Sequence, residues 1–420
     1  MKTNVGELAL LGGTPAFTER LHVGRPNVGD RQAFLDRVGG ILDRRWFTNA
    51  GPLVAEFEAR VAEVCGVRHC IAMCNGTVAL EIATRALGLR GEVIVPAFTF
   101  VATANALQWQ EITPVFCDVD PRTHNIDPGQ VERLITPRTT GVVGVHVWGR
   151  PCAVDALSDL CARRGLTLLY DAAHALGCSS RGRRIGGFGS VEVLSFHATK
   201  IVSTFEGGAI VTNDDVLATK IRFMKNFGFS NYDQVDHLGI NGKMPEICAA
   251  MGLTGLDSFD DFVRANRRNH ERYARELSGV PGLAVIAYDE ADTPNYGYVV
   301  VEVDEAATGL PRDVLYRALH AENVLARRYF HPGVHRMEPY RSLFPHASLL
   351  LPETEALARR VLVLPTGASV SEADVGGVCA LLRLLIGHAD EVRARLQSRR
   401  SPASAASPPA SGAGQNSARR

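Results

Sequence analysis

The sequence lacks an excess of charge of either sign and a hydrophobic run long enough to cross a membrane. Its 45 Lys and Arg residues balance 45 Asp and Glu residues, so the composition does not indicate a broad surface for nucleic acid or anionic lipid. The longest uncharged run, residues 93–110, contains proline, asparagine and glutamine and is excluded as a membrane span. Residues 1–10 have no apolar core of signal-peptide length. We therefore expect a cytoplasmic protein with no nucleic-acid and no membrane partner.

Cysteine pairs at metal-binding spacing are also missing. The nine cysteines are an odd number and contain no Cys-x-x-Cys pair. Cys65, Cys70 and Cys74 cluster in the sequence, but no histidine follows at the spacing of a zinc site. We interpret the cysteines as buried, reduced thiols and predict no metal site.

What the sequence does contain is one lysine between two apolar runs. Residues 192–213 read EVLSFHATKIVSTFEGGAIVTN, and Lys200 has no acidic residue within five positions. A lysine at the end of a buried strand is costly to keep charged, so its pKa should fall and its amine becomes a nucleophile for a carbonyl carbon. The alternative is a lysine that leaves the strand end and extends to water, as most single lysines do.

Seven apolar runs, separated by helix-length segments, predict an α/β fold with a mostly parallel seven-stranded sheet and a smaller C-terminal α/β domain. The runs are residues 70–73, 92–95, 113–117, 141–147, 166–170, 191–196 and 209–212. The expected division is an N-terminal lead (1–25), a large domain (26–280), a small domain (281–395) and a disordered tail (396–420). In such folds ligands gather at the carboxyl ends of the strands.

Several polar residues follow predicted strands and suit a cofactor that carries a ring and a phosphate. The turn Asn75-Gly76-Thr77 leads into a helix whose first N–H groups favour a phosphate, although most such turns bind nothing. Asp171 is either a helix N-cap or the partner of a protonated pyridine nitrogen. His174 follows three residues later, near the ring in the second interpretation. Ser195 either donates to the phosphate or bonds locally.

Six motifs resemble the pyridoxal-phosphate-dependent sugar aminotransferases of the DegT/DnrJ/EryC1/StrS family. They are NGT (75–77), PAFTFVATA (96–104), DAAHALG (171–177), SFHATK (195–200), EGGAIVT (206–212) and NGKM (241–244). The resemblance extends over approximately residues 8–387. It implies an aspartate aminotransferase-like fold of type I, pyridoxal 5'-phosphate as the cofactor, and a homodimer with active sites at the interface.

The resemblance also implies roles for single residues. Lys200 is expected to be the catalytic lysine that holds the cofactor as an imine, with Asp171 on the pyridine nitrogen and Phe100 stacked on the ring. Asn241 is expected to reach the phosphate of the neighbouring subunit. The expected cofactor-binding residues are Gly76, Thr77, Phe100, Asp171, His174, Ser195, Lys200 and Asn241.

Two further segments, HVWGRPC (146–152) and ARRYFHPGVHR (326–336), are similar to members that aminate nucleotide-activated 4-keto-6-deoxy sugars. The implied reaction transfers the amino group of L-glutamate to a nucleotide keto sugar, with dTDP-4-keto-6-deoxy-D-glucose or a further deoxygenated relative as the expected acceptor. The expected substrate-binding residues are Thr48, Lys243, Tyr329 and His331. Segment 326–336 is alternatively a solvated loop.

Three functional alternatives stay open within the resemblance. The first is a 3-keto sugar aminotransferase. The second is a sugar dehydratase, against which Lys200 argues because that class carries histidine at this position. The third is a non-catalytic regulatory member, against which the intact motif set argues. Antibiotic deoxyaminosugar synthesis and cell-surface glycan synthesis both use such enzymes.

Overall fold

The computed structural model describes residues 2–289 and 291–400. Its central element is a seven-stranded sheet, which confirms the predicted α/β fold. Strands β1 to β7 are, in chain order, His69–Met73, Glu92–Pro96, Thr113–Cys117, Thr139–Val145, Thr167–Asp171, Val191–Ser195 and Gly208–Thr212. Each of them overlaps one of the seven apolar runs of the sequence.

The sheet is parallel except at β7. Its spatial order is β1-β7-β6-β5-β4-β2-β3, and β7 runs antiparallel to both of its neighbours. Strand β2 is buried along its whole length, as expected for a parallel strand with both faces covered. Because β5 and β6 are parallel neighbours, Asp171 and Ser195 end at the same edge of the sheet. The antiparallel β7 begins at that edge, where Gly208 pairs with Met73 and Ser195.

Helices cover this sheet and bury its apolar faces. Helices α1 to α9 are Arg31–Arg44, Pro52–Cys65, Gly76–Ala86, Val101–Gln108, Pro128–Leu134, Val154–Arg164, Asp215–Met224, Glu246–Asp257 and Phe259–Leu277. Helices α8 and α9 are separated at Ser258, whose backbone leaves the helical region. Phe57 of α2 is fully buried and packs edge-on against Phe196, with ring centroids 5.0 Å apart.

The C-terminal part contains a smaller antiparallel sheet with helices on it. Strands β8 (Leu283–Val285), β9 (Val299–Val303) and β10 (Val361–Leu364) pair in the order β8-β9-β10. Helices α10 to α15 are Glu305–Thr308, Arg312–Ala321, Tyr340–Leu343, Pro352–Arg360, Glu372–Gly387 and Ala389–Arg400. Together they form the predicted smaller α/β part of the fold.

Both ends of the chain add to this C-terminal part. Val5 and Leu8, from the expected N-terminal lead, are buried in one core with Val301 and Leu315. The expected tail started at residue 396, but α15 continues to Arg400, because residues 389–400 contain neither glycine nor proline. The rest of that tail, residues 401–420, lies outside the described residues. The domain boundaries themselves stay predictions.

All nine cysteines are unpaired thiols in the structure. Seven are buried, and Cys74 and Cys248 are half-buried, in agreement with the predicted reduced thiols. Over residues 2–289 and 291–400, no cluster of His, Cys, Asp and Glu side chains is arranged to hold a metal ion. None of the helices in those ranges has the length and hydropathy needed to cross a bilayer.

Candidate active site

A cavity of about 320 Å³ opens at the edge of the sheet where β5 and β6 end. It is lined from the strand ends, from the start of α3 and α4, and from the C-terminal part. The predicted residues that line it are Gly76, Thr77, Phe100, Asp171, His174, Ser195, Lys200 and Tyr329. Residues spread over more than 250 positions of the sequence therefore converge on one cavity.

Lys200 supplies an amine inside this cavity. The residue follows β6 by a tight turn, in which its backbone N–H donates to the carbonyl of His197 at 2.8 Å. Its Nζ donates to the hydroxyl of Tyr298 at 3.4 Å. Burial lowers the pKa of Lys200 from 10.5 to about 8, while the negative charge of Asp171 opposes that fall. The side chain lies half-buried among the cavity residues, which favours the nucleophile over a lysine extended into water.

Asp171, the last residue of β5, supplies a buried carboxylate. Its Oδ2 accepts a hydrogen bond from Thr103 Oγ1 at 2.8 Å, and its Oδ1 accepts one from the N–H of Ala173 at 3.1 Å. Burial raises the pKa of Asp171, whereas these two hydrogen bonds and the nearby Lys200 charge act to lower it. The segment after Asp171 forms turns and no α-helix, so the alternative role as a helix N-cap is wrong.

The start of α3 forms the polar end of the cavity. Asn75 caps the helix, because its Oδ1 accepts a hydrogen bond from the N–H of Val78 at 2.8 Å. The N–H groups of the first helical turn have no intrahelical acceptor. Those of Gly76 and Thr77, which line the cavity, are therefore suited to bind an anionic group. A Cβ on Gly208 would approach the carbonyl carbon of Asn75 to 2.5 Å. The second glycine of the EGG motif is thus required for β7 to lie against this turn.

His174 belongs to an aromatic wall of the cavity. The backbone N–H of Trp148 donates to His174 Nδ1 at 3.2 Å, so the imidazole proton is on Nε2. Burial and the nearby Lys200 charge hold the pKa of His174 well below its usual range, and the ring is neutral. The rings of His174 and Tyr298 lie 4.4 Å apart. Phe330 stacks on Trp148 at 5.3 Å.

Sequence reasoning missed Tyr298 and Trp148 as site residues. Tyr298 immediately precedes β9 in the C-terminal part, and only the folded chain brings its hydroxyl to Lys200. Trp148 lies in the HVWGRPC segment that resembles the family, but the resemblance assigned no role to this residue. Its backbone has a left-handed φ of 63°. That conformation turns its N–H towards His174.

Four predicted residues do not line the cavity of this chain. Thr48 accepts the indole N–H of Trp46 on its backbone carbonyl. Lys243 donates to Asn226 Oδ1 at 2.9 Å, and Asn241 forms a backbone bridge with the same Asn226. His331 lines a neighbouring cavity that shares Phe100 and Tyr329 with the Lys200 cavity. The role of Asn241 in a neighbouring subunit stays a prediction, as do the substrate-binding roles of Thr48, Lys243 and His331.

A half-buried amine of lowered pKa, a buried carboxylate and a helix N-terminus in one cavity of an α/β sheet fit a pyridoxal-phosphate enzyme of fold type I. The comparisons with known proteins agree with that class. The sequence model of the DegT/DnrJ/EryC1/StrS aminotransferase family matches residues 29–383, and the chain belongs to this family. It is a pyridoxal-phosphate-dependent nucleotide-sugar aminotransferase.

Individual relatives align over nearly their whole length. The dTDP-4-amino-4,6-dideoxy-D-glucose transaminase of Shigella dysenteriae is 37% identical over 351 residues, covering 84% of this chain and 95% of that protein. The GDP-perosamine synthase of Caulobacter vibrioides is 37% identical over 369 residues, covering 86% of this chain and 97% of that protein. The crystal structure of DesI with its TDP-sugar product is 51% identical, has a TM-score of 0.90, and covers 94% of this chain and 100% of that chain.

Proposed function

We propose that the enzyme transfers the amino group of L-glutamate to C4 of dTDP-4-keto-6-deoxy-D-glucose or a further deoxygenated relative. The observation that carries the chemistry is the half-buried amine of Lys200, with its pKa lowered to about 8, in one cavity with the buried carboxylate of Asp171. The choice of sugar and nucleotide is supported by the relative named for the 4-amino-4,6-dideoxy sugar of dTDP and by the TDP-sugar product of DesI.

The cavity residues fit pyridoxal phosphate, which when bound supplies an electron sink for the carbanion formed next to the transferred nitrogen. Lys200 would hold the cofactor through its Nζ, and Asp171 would keep the pyridine nitrogen protonated. The N–H groups of Gly76 and Thr77 and the hydroxyl of Ser195 would hold the phosphate. Phe100, at the mouth of the cavity, would cover one face of the ring.

Proton transfer is the task of Lys200. In the cofactor-free chain, where its pKa is about 8, the amine is uncharged in roughly a tenth of the molecules at pH 7. An uncharged amine at this position can accept a proton from the α-carbon of the donor. In the second half-reaction the same Nζ returns a proton to C4 of the sugar. Tyr298 accepts a hydrogen bond from this Nζ and thereby restricts its orientation. The neutral His174 cannot replace Lys200 as an acid at pH 7.

A homodimer with shared active sites is part of the proposal. Large apolar side chains are exposed on three segments, residues 46–47, 227–229 and 240–246, which are joined by backbone hydrogen bonds. The carbonyl of Phe47 accepts from the N–H of Glu246, and the N–H of Phe227 donates to the carbonyl of Ile240. The exposed apolar residues there are Trp46, Phe47, Phe227, Phe229 and Ile240. Exposed apolar side chains gathered on neighbouring segments are typical of an association surface. Asn241 follows Ile240 and would enter the partner's cavity from this surface.

A product assay tests the proposed reaction. The purified enzyme is incubated with L-glutamate and, separately, 4-keto-6-deoxy and 3-keto-6-deoxy dTDP-glucose, together with the GDP-linked 4-keto-6-deoxy sugar. The products are identified by mass and NMR. We expect the 4-amino dTDP sugar, and no product from a Lys200→Arg variant. Amination of only the 3-keto sugar, or of only the GDP sugar, would overturn the acceptor, and activity of Lys200→Arg would overturn the catalytic assignment.

The dimer is tested separately by light scattering with size-exclusion chromatography. We expect the mass of two chains for the wild-type protein and a shift towards one chain for Phe229→Glu. The matched control is Val216→Glu, which changes an exposed apolar residue on α7, outside the patch. A monomeric wild-type protein with full activity would overturn the shared site.

A further inference from the structure

A chain of hydrogen bonds connects the C-terminal part of the protein to His174 in the cavity. Nε2 of His124 lies 2.9 Å from a carboxylate oxygen of Glu302, on β9. Nδ1 of the same ring accepts the indole N–H of Trp148 at 3.1 Å. The backbone N–H of Trp148 in turn donates to Nδ1 of His174 at 3.2 Å. A carboxylate outside the cavity is thereby linked to an imidazole inside it.

The tautomer of His124 is determined by its two neighbours. An indole N–H can only donate, so Nδ1 of His124 accepts and carries no proton. The ring proton then lies on Nε2, from which it donates to Glu302. Burial lowers the pKa of His124, although Glu302 acts to raise it, and the ring is neutral. Arg360 forms an ion pair with the other carboxylate oxygen of Glu302 at 2.7 Å, which keeps that acceptor charged.

Trp148 needs support from outside its own segment to hold its backbone conformation. Its φ of 63° lies in the left-handed region, which a bulky residue occupies only when the surrounding contacts impose it. His124 holds the fully buried indole. The adjacent Asn125 holds the backbone, because its Oδ1 accepts from the N–H of Val147 at 3.0 Å. Loss of the His124 acceptor would leave a buried N–H without a partner, so the segment should relax and turn away from His174.

The last member of the chain is a hydrogen-bond donor that faces the cavity. His174 lines the cavity together with Lys200. Because its Nδ1 accepts from Trp148, its proton lies on Nε2. Among the residues that the structure describes, none forms a hydrogen bond with this Nε2. The backbone of His174 is also fixed, since Asn295 Nδ2 donates to its carbonyl at 3.0 Å. The opposite tautomer would present an acceptor to the cavity instead.

We propose that Glu302, His124 and Trp148 are positioning residues of this aminotransferase, which hold His174 as the Nε2–H tautomer and thereby present a hydrogen-bond donor to an oxygen atom of the bound cofactor. None of the three lines the cavity, so they act through His174. The inference concerns the cofactor site and is independent of which sugar is aminated.

Nitrogen NMR spectra of the holoenzyme, labelled in histidine and tryptophan, test the arrangement in the wild-type protein. The chain has three tryptophans, and Trp46 and Trp109 are exposed. We expect the indole N–H of Trp148 to exchange with solvent at least about 10-fold more slowly than the other two. His174, whose signals are identified with a His174→Gln variant, should carry its proton on Nε2. A proton on Nδ1 of His174 would overturn the proposal without any further variant.

Two substitutions of His124 separate its hydrogen bond from its packing. His124→Phe keeps a ring but removes the acceptor for Trp148. We expect faster exchange of the Trp148 indole N–H, a mixture of both His174 tautomers, and about 5- to 10-fold weaker binding of pyridoxal phosphate in an absorbance titration. His124→Asn keeps an acceptor oxygen near the position of Nδ1 and should leave all three quantities close to their wild-type values.

The matched control is His69→Phe, which removes another histidine bonded to a carboxylate. Its Nε2 lies 2.6 Å from Asp215, but the pair is at the opposite edge of the sheet, where His69 pairs with Thr212. We expect no change in the Trp148 or His174 signals or in cofactor affinity.

Three results would overturn the positioning role. They are an unchanged His174 tautomer and cofactor affinity in His124→Phe, equal losses in His124→Phe and His124→Asn, which would assign the effect to packing, and an equal loss in His69→Phe. If the enzyme aminates none of the tested sugars while the expected spectra and affinities are found, the acceptor assignment falls and the positioning role stands.

Discussion

The surroundings of Lys200 change the ionisation of its amine in the cofactor-free protein. Burial lowers the pKa of Lys200 to about 8, against about 10.4 for an unperturbed lysine. At pH 7 roughly one amine in ten is then uncharged, compared with about one in 2,500 for an unperturbed lysine. The fold thereby raises the population of the nucleophilic form by about 250-fold.

The perturbation that tests this reasoning is Asp171→Asn. The charge of Asp171 holds the pKa of Lys200 up, so its removal should lower that pKa further. The matched control is Asp43→Asn, which changes an exposed carboxylate on α1. It should leave the titration of Lys200 unchanged.

The assay is trace acetylation of the cofactor-free protein over pH 6–11, with the Lys200 peptide quantified by mass spectrometry and the urea-unfolded chain as reference. We expect a midpoint near 8 for the folded wild-type protein, a lower midpoint for Asp171→Asn, and about 10.4 for the unfolded chain. Coincident midpoints for the folded and unfolded chains would refute the burial argument. A rise of the midpoint in Asp171→Asn would refute the electrostatic one.

The same shift makes the stability of the cofactor-free protein depend on pH. Between pH 8 and 10.5 the unfolded chain keeps the Lys200 proton and the folded chain releases it, so the free energy of unfolding rises with pH in this window. The full difference is about 3 kcal/mol, at 1.36 kcal/mol per pKa unit. Lys200→Met removes this titration. Urea unfolding from pH 7.5 to 10 should therefore show a shallower rise for Lys200→Met than for the wild-type protein, and parallel curves would contradict the shift.

Three further changes have defined outcomes. Thr103→Val removes the hydroxyl that donates to Asp171 at 2.8 Å, so the pKa of Asp171 should rise and cofactor binding should weaken roughly 10-fold. An absorbance titration measures the binding, and unchanged affinity would contradict the role of Thr103. Tyr298→Phe removes the hydroxyl 3.4 Å from Lys200 Nζ and should lower kcat about 3- to 10-fold; a loss of several thousandfold would mean that the phenol itself transfers a proton. Gly24→Ala should lower the free energy of unfolding by about 1–2 kcal/mol more than Gly88→Ala. Both glycines have a positive φ, but only at Gly24 would the added Cβ clash with Thr199. Equal losses of stability would contradict that clash.

The sheet could be predicted from the sequence because its signal is local. Each strand is a short apolar run bounded by turn residues, and the seven runs correspond to β1 to β7. The meeting of Asp171 and Lys200 at one edge of the sheet followed from the rule for parallel strands. The antiparallel direction of β7 was not predicted, since it depends on the connection through the Lys200 loop and the close approach of Gly208 to Asn75.

Contacts between distant segments could not be predicted in the same way. Tyr298 meets Lys200 across 98 positions, and Leu21–His22 pairs with Val324–Leu325 as a two-residue strand pair. Strand pairs this short leave no periodic pattern in the sequence. For this reason the sequence predicted that residues 1–25 are only a lead to the large domain, although Val5 and Leu8 are buried in the C-terminal core.

The sequence by itself determined the α/β class and the family, because buried runs and contiguous motifs are properties of neighbouring residues. It also singled out Lys200, which lies between two predicted strands, and Asp171, which directly follows one. Only the tertiary structure decided the electrostatic environment of the site, namely the lowered pKa of Lys200 and the neutral His174. Burial and charge balance depend on which distant side chains share a cavity, and that is decided when the chain packs.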